Sequence, residues 1–165
     1  MATIVEMDIT DVTEGVILHI VNNKDRLGAG IAGVLAKKWP EVKETYHSCN
    51  ARLAKEGKPL LGHFSVVKVE SNLYVANLYA QDGYGWDGKC YLDYAILDEV
   101  LEAISGWISL ESHLSAMEGE KSETLQAYIP FMMGCGLAGG DWNVVQPMIE
   151  ANLPNAIICK LPQGT

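Results

Sequence analysis

The sequence predicts an α/β protein, a three-layer α/β/α sandwich with a mixed central sheet. Short apolar runs typical of strands alternate with stretches of helical periodicity through most of the 165 residues. Two strand-to-helix junctions are rich in glycine, as the turns between a strand and the next helix often are in α/β folds. Long low-complexity linkers and internal repeats are absent, so residues 1–165 are expected to form one domain.

The first half of the chain predicts four strands and two helices. Strands are expected over 2–7, 16–22, 63–69 and 73–80, and the last two are expected to form a hairpin. A helix is expected over 30–38, because Ile31, Val34 and Leu35 have helical spacing and Pro40 follows. A second helix is expected from 41 to about 56, ending at Gly57.

The second half predicts a loop over 81–90 and then a long helix that starts at Tyr91. Residues 105–122 are partly polar and acidic, and a short extra helix or an insertion is expected there. A strand is expected over 124–133, a helix near 142–152 and a closing strand over 155–161. Pro147 is expected to kink or shorten that last helix, because proline removes a backbone hydrogen bond.

Composition narrows the classes of function. A net charge of −9 disfavours broad nucleic-acid binding, which needs basic stripes. No apolar run approaches the roughly 20 residues of a membrane helix, and no basic segment precedes an apolar one at the N-terminus. A cytoplasmic protein with no membrane association is therefore expected. The four cysteines show no spacing typical of a metal site and are expected to be reduced. The protein is expected to hold no metal and no cofactor.

Two segments, "VNNKDRLGAGIAGVLAKK" and "IPFMMGCGLAGGDWNVVQPMIE", share one arrangement: an apolar strand, small residues and then a helix. Glycine lets a ligand approach the main chain closely, and the N–H groups at a helix N-terminus bind phosphate without lysine or arginine. Either cluster alone could be a tight turn. Together they predict a cradle for a phosphorylated ligand, with Asp141 expected only to cap the last helix.

These segments resemble those of macrodomains, the α/β/α fold that binds ADP-ribose, and the resemblance covers nearly the whole chain. It rests on "VEMDIT", "HIVNNKDRLGAGIAGVLAKKWPEV", "NLYAQDGYG" and "GCGLAGGDW", in that order. The most similar branches contain the terminal ADP-ribose glycohydrolase and the yeast-type ADP-ribose-1″-phosphate phosphatase. The resemblance implies ADP-ribose, a derivative of it or an ADP-ribosylated protein as the partner.

The resemblance also implies roles for particular residues. Asp8 would accept a hydrogen bond from the adenine amino group, Ile9 would line the adenine pocket, and Asn22 would face the distal ribose. The diphosphate would be wrapped by two sets of residues: Gly28, Ala29, Gly30, Ile31 and Ala32, and Gly134, Cys135, Gly136, Leu137, Ala138 and Gly139. Cys135 lies between two glycines, and we expect a small packing residue there rather than a nucleophile.

Two departures bear on activity. The glycohydrolase branch has a lysine and an aspartate where this chain has Gln81 and Ala138, and an amide cannot form the covalent adduct that an amine forms. The phosphatase branch has a histidine three residues before the asparagine, as His19 precedes Asn22. His19 and Asp82 are therefore the predicted catalytic pair, with Asp87 in reserve. An imidazole can transfer a proton near neutral pH, and a carboxylate can orient the imidazole or activate water.

The sequence leaves three functions open. The first is an enzyme that hydrolyses ADP-ribose-1″-phosphate to ADP-ribose and phosphate, or that acts as a mono-ADP-ribosyl hydrolase. The second is a reader that holds ADP-ribose without turnover. The third is a protein of the same fold with another nucleotide ligand. Fold alone does not distinguish them.

Overall fold

The structure, a computed structural model, describes residues 2–119 and 124–162, and these contain a six-stranded sheet. Its strands are β1 (Thr3–Glu6), β2 (Gly15–Asn22), β3 (Phe64–Glu70), β4 (Leu73–Gln81), β5 (Ala127–Pro130) and β6 (Ile157–Lys160). They lie in the order β1-β6-β5-β2-β4-β3. Neighbouring strands are parallel except for β3, which pairs antiparallel with β4 at one edge. The prediction of a mixed sheet with a β3–β4 hairpin is confirmed.

Helices cover both faces of this sheet: α1 (Gly30–Lys38), α2 (Glu41–Lys55), α3 (Tyr94–Met117) and α4 (Trp142–Asn152). The fully buried strand β2 needs helices on both faces, because its successive side chains point to opposite faces of the sheet and pack in different hydrophobic clusters. Leu18 belongs to the cluster that includes residues of α3 and α4. Ile17 belongs to the cluster that includes Leu35 of α1 and Val42 of α2. The three-layer α/β/α architecture is confirmed.

Two elements differ clearly from their predicted extent, and in a third the shortening predicted at a proline does not occur. Helix α3 begins at Tyr94 rather than Tyr91, because Asp93 caps its first turn. It runs without a break to Met117, so the prediction of a separate helix or insertion is wrong over 105–117. The remaining part of that prediction includes residues 120–122, which lie outside the described residues. Strand β5 spans Ala127–Pro130 rather than 124–133, and the chain turns after Pro130 towards the glycine-rich segment. Helix α4 continues through Pro147 to Asn152, so proline does not shorten it.

The parallel strands place one set of ends together. The carboxyl ends of β2, β4, β5, β6 and β1 lie along the same edge of the sheet, and the segments that follow them meet there. Both glycine-rich segments leave this edge. Within the described ranges, no helix is both long and apolar enough to cross a membrane.

Candidate ligand-binding site

A cavity of about 720 Å³ opens at the carboxyl edge of the sheet. That volume lies within the range of pockets for small molecules and cofactors, roughly 300–1,000 Å³. Its wall comes from four stretches of chain: residues 20–32, part of α2, residues 81–86 and residues 130–138. The cavity is the place where a ligand of this fold class is expected to bind.

The first glycine-rich segment forms one side of the cavity. All five of its predicted ligand residues line the wall: Gly28, Ala29, Gly30, Ile31 and Ala32. Ala29 is the N-cap of α1 and supplies no side-chain hydrogen bond to the first turn. The N–H groups of that turn are therefore available to an anion, with the positive end of the helix dipole behind them.

Gly33, in the first turn of α1, explains how this segment folds back so tightly. A Cβ atom placed on Gly33 would lie 2.6 Å from the carbonyl oxygen of Gly28, a distance that no side chain tolerates. The absence of a side chain at Gly33 thus lets the first turn of α1 pack directly on the loop before it. The local sequence shapes the N-terminus of the helix as well as exposing its N–H groups.

The second glycine-rich segment forms the opposite side. Gly134, Gly136, Leu137 and Ala138 line the cavity. A Cβ atom placed on Gly30 would lie 4.0 Å from Cδ1 of Leu137, so the two segments face each other at van der Waals distance. The N–H groups of Gly136, Leu137 and Ala138 donate to no backbone or side-chain acceptor within the described ranges. Two sets of free N–H groups therefore border one cavity.

Two residues predicted in this loop do not line the cavity. The thiol of Cys135 donates to the carbonyl oxygen of Met133 at 3.5 Å, and burial raises its pKa to about 11. Such a thiol is a poor nucleophile at neutral pH, which fits the expected packing role. Gly139 adopts a φ of +75°, and a Cβ atom there would lie 2.5 Å from the carbonyl oxygen of Lys89. Gly139 thus allows the 82–93 segment to close on this loop.

Asn22 lines the cavity, but its side chain is largely occupied within the protein. Its Nδ2 donates to the carbonyl oxygen of Arg26 at 2.7 Å, and its Oδ1 accepts from the backbone N–H of Lys24 at 2.9 Å. The hydroxyl of Tyr46 donates to the same Oδ1 at 3.0 Å. Asn22 therefore fixes the shape of the first loop, and one N–H of its amide stays available to a ligand.

Asp8 and Ile9 lie at the end of β1, on the same sheet edge but outside the cavity wall. Asp8 caps a short 3₁₀ helix (Ile9–Asp11), since its Oδ1 accepts from the backbone N–H and the hydroxyl of Thr10. These hydrogen bonds lower the pKa of the carboxyl group. Ile9 is buried in the core beneath α1. The structure thus gives both residues a folding role, and their adenine contact stays a prediction.

His19 and Asp82 do not meet in the cavity. His19 has no exposed surface, and its Nε2 donates to Oδ1 of Asn77, its partner in the β2–β4 register. Burial lowers the pKa of His19 to about 4. Asp82 is exposed, and its Oδ1 accepts from Nδ2 of Asn23 at 3.0 Å. Neither side chain lines the cavity, so neither is placed to touch a ligand bound there.

The two positions where the chain departs from the glycohydrolase branch do lie in the wall. Gln81 ends β4, and its Nε2 donates to the carbonyl oxygen of Gly83 at 3.0 Å. Ala138 is buried, and its carbonyl oxygen accepts from the N–H groups of Tyr91 and Leu92. An amide and a methyl group thus stand where an amine and a carboxylate would have to act.

Several polar groups in the wall were not predicted from the sequence. Asp25, Arg26, Lys43 and His47 all line the cavity. Asp25 and His47 lie 22 positions apart in different elements, so no local spacing connects them. The one available signal is positional, because Asp25 and Arg26 directly precede the first glycine-rich loop. Tyr84 and Trp86 complete the rim, and Trp86 is 81% exposed.

Comparisons with known proteins identify the fold. No protein-family model matches the sequence, and no curated protein is significantly similar to it. A protein of unknown function from Bacteroides thetaiotaomicron is 26% identical, with a TM-score of 0.70 over 98% of both chains. A macrodomain protein from Streptomyces coelicolor is 22% identical, with a TM-score of 0.69 over 97% of this chain and 98% of that chain.

A third solved structure, DarTG of Thermosipho africanus in complex with ADP-ribose, is 18% identical with a TM-score of 0.62. The match covers 98% of this chain and 42% of that longer one. These likenesses, which extend over nearly the whole chain, establish that it has the macrodomain fold.

Proposed function

We propose that this protein binds ADP-ribose, or the ADP-ribosyl part of a larger compound, in the cavity at the carboxyl edge of its sheet. The observation that carries the proposal is the pair of facing glycine-rich loops, whose free N–H groups border one cavity from two sides. A diphosphate is the anion that two such sets of donors can hold at once. The solved DarTG complex with ADP-ribose, which has a similar fold, supports this choice of ligand.

The proposed reaction is hydrolysis of ADP-ribose-1″-phosphate to ADP-ribose and inorganic phosphate. It follows the likeness of the first loop to the phosphatase branch, and the cationic side chains of Arg26 and Lys43 in the wall suit a substrate with one more phosphate. Hydrolysis through a covalent lysine adduct is disfavoured, because the corresponding position is Gln81.

A reader of ADP-ribose is the second candidate, and a specific observation favours it. The predicted catalytic pair, His19 and Asp82, lies outside the cavity wall. If no other group supplies acid–base chemistry, the protein would bind its ligand without turning it over.

Two measurements test the proposal. Isothermal titration calorimetry with ADP-ribose should give saturable one-to-one binding, and inorganic phosphate alone should compete weakly, because it reaches only part of the cavity. A phosphorus NMR time course with ADP-ribose-1″-phosphate should show loss of the ester signal and growth of free phosphate. Binding without phosphate release would favour the reader, and failure of ADP-ribose to bind would refute the proposed ligand.

A further inference from the structure

A carboxylate and an imidazole meet in the cavity wall, and neither is used in the proposal above. Nδ1 of His47, on α2, donates to Oδ1 of Asp25 at 2.5 Å. The side chains keep 38% and 60% of their surface exposed, and both line the cavity. This Asp25–His47 pair is therefore open to a bound molecule, unlike the fully buried His19.

Buried neighbours hold the carboxylate in place. Nδ2 of Asn50 donates to Oδ1 of Asp25 at 2.6 Å, and the hydroxyl of Tyr79 donates to Oδ1 of Asn50 at 2.5 Å. Partial burial acts to raise the pKa of Asp25, but hydrogen bonds from His47 and Asn50 bring it below its usual value. The carboxylate thus stays ionised at neutral pH and has a fixed orientation.

This arrangement determines which nitrogen of His47 can react. With Nδ1–H directed at the carboxylate, the neutral ring carries its lone pair on Nε2. Within the described ranges, no protein group forms a hydrogen bond with that Nε2. A histidine whose one nitrogen is oriented by a carboxylate and whose other nitrogen is free has the geometry of a general base.

The backbone at this point is in a conformation that few residues other than glycine adopt. Asp25 has a φ of 58°, in the left-handed region, and Met132 on the opposite side has a φ of 65°. In the described part of the chain these are the non-glycine residues with positive φ, and both line the cavity. Aspartate adopts this conformation more readily than methionine, for which it costs about 1–3 kcal/mol, and non-glycine residues of this kind are concentrated at functional sites in proteins.

The pair is also close to the proposed phosphate cradle. Asp25 precedes Gly28 by three residues, a separation of at most about 11 Å along the chain. Lys43 lies one helical turn before His47 on α2 and lines the same wall. A phosphate attached to a ligand held by the glycine-rich loops is thus within reach of this wall.

We propose that His47 is the general base of a hydrolytic reaction in this cavity and that Asp25 is its positioning residue. The inference rests on the proposed function and deepens it. Nε2 of His47 takes a proton from water as the water oxygen bonds to the phosphorus of ADP-ribose-1″-phosphate. The phosphorus–oxygen bond to the ribose breaks, its electron pair stays on the ribose oxygen, and that oxygen takes a proton from solvent water while His47 returns its proton to the solvent. The products are ADP-ribose and inorganic phosphate.

The test compares His47→Ala, Asp25→Asn and a control, His113→Ala, which removes an exposed histidine of α3 outside the cavity wall. Asparagine tolerates the left-handed conformation at position 25 as aspartate does. Phosphate release from ADP-ribose-1″-phosphate is measured by phosphorus NMR, ADP-ribose affinity by calorimetry and thermal stability by scanning calorimetry.

His47→Ala should lower kcat by about 100-fold or more, the contribution typical of a general base. Added imidazole should restore part of that loss, because it can occupy the space left by the side chain. Asp25→Asn should lower kcat with little change in KM, and imidazole should not restore it. The ADP-ribose affinity of both variants should stay within about twofold of the starting protein, as a general base acts on the transition state.

Each outcome decides the inference separately from the ligand. Unchanged kcat in His47→Ala, or a loss shared by His113→Ala, overturns it while leaving the proposed function standing. A protein that binds ADP-ribose but releases no phosphate also overturns it and leaves the reader. A protein that does not bind ADP-ribose overturns the proposed function and this inference together.

Discussion

His19 is a neutral histidine held in the interior of the sheet by one hydrogen bond to Asn77. Asn77 in turn donates to the carbonyl oxygen of Val42 at 3.3 Å and to Oγ of Ser65 at 3.2 Å. The three side chains join β2, β4 and β3 beneath α2. Because a buried polar group is costly without a partner, this network fixes the register of the strands that carry the cavity.

Stability should depend on pH through His19. Burial lowers its pKa in the folded state to about 4, against 6.5 for an ordinary histidine. Between these values the unfolded chain binds a proton that the folded protein does not, so stability is full above pH 6.5 and falls as the pH drops towards 4. The expected loss is on the order of 3 kcal/mol, at about 1.4 kcal/mol per unit of pKa shift.

Urea unfolding of the starting protein and His19→Gln at several pH values measures this effect. Glutamine keeps a hydrogen-bond donor for Asn77 but does not titrate. The unfolding free energy of the starting protein should therefore fall relative to that of His19→Gln as the pH drops from 7 to 4. A difference that stays constant over this range would contradict the buried neutral histidine.

At the scale of elements, the first glycine-rich loop and α1 depend on a close backbone approach. Gly33 and Gly106 are both helical glycines, in α1 and α3, but their surroundings differ. A Cβ atom on Gly33 would meet the Gly28 carbonyl at 2.6 Å, whereas one on Gly106 would have no atom within 4 Å. The pair therefore separates the intrinsic effect of glycine in a helix from its effect on the loop.

Gly33→Ala should destabilise the protein and weaken ADP-ribose binding, because the loop must move away from the new methyl group. Gly106→Ala should stabilise it by about 0.5–1 kcal/mol, the usual gain in a helix interior, without changing affinity. Scanning calorimetry and ADP-ribose titration of both variants check this. Equal effects of the two substitutions would show that the approach of α1 to the loop does not shape the site.

The predictable elements are those whose side-chain pattern agrees with their burial. The bounds predicted for α1, 30–38, match those observed: Leu35 is buried and Ile31 half-buried, although Val34 is exposed, and Pro40 ends the pattern. The sequence predicts a shorter α3, because polar residues interrupt the apolar pattern after residue 105. In the structure Ile108 is buried, while Leu110, Leu114 and Met117 are exposed. A helix whose last apolar side chains are exposed lacks the burial pattern on which the prediction relies.

At the scale of the whole molecule, the site depends on contacts that local sequence does not encode. The two glycine-rich loops were recognisable because each carries its own signal of strand, small residues and helix. The Asp25–His47 pair was not, because it forms only when α2 packs beside the end of β2. His19 looked available for the same reason, since its partner Asn77 lies 58 positions away and is brought to it by strand register.

The cavity joins segments from both halves of the chain, so its ligand should stabilise the folded protein as a unit. A ligand that binds only the native state at 100 times its Kd adds about 2.7 kcal/mol. For a chain of 165 residues this should raise the Tm by roughly 5–10 °C. Scanning calorimetry with ADP-ribose, and with inorganic phosphate at the same concentration as the control, measures the shift.

The same calorimetry on Asp8→Ala tests the prediction that Asp8 contacts the adenine of ADP-ribose. Asp8 lies at the end of β1, at the far edge strand of the sheet, so a ligand that contacts both Asp8 and the glycine-rich loops must span several strands. The variant should melt at a lower temperature without ligand, because a cap is lost, and should also gain less from ADP-ribose. Asp11→Ala, which removes an exposed carboxylate from the same 3₁₀ helix, is the matched control. An equal ADP-ribose shift in Asp8→Ala and the starting protein would show that Asp8 only caps the helix and that the adenine end of the ligand lies elsewhere.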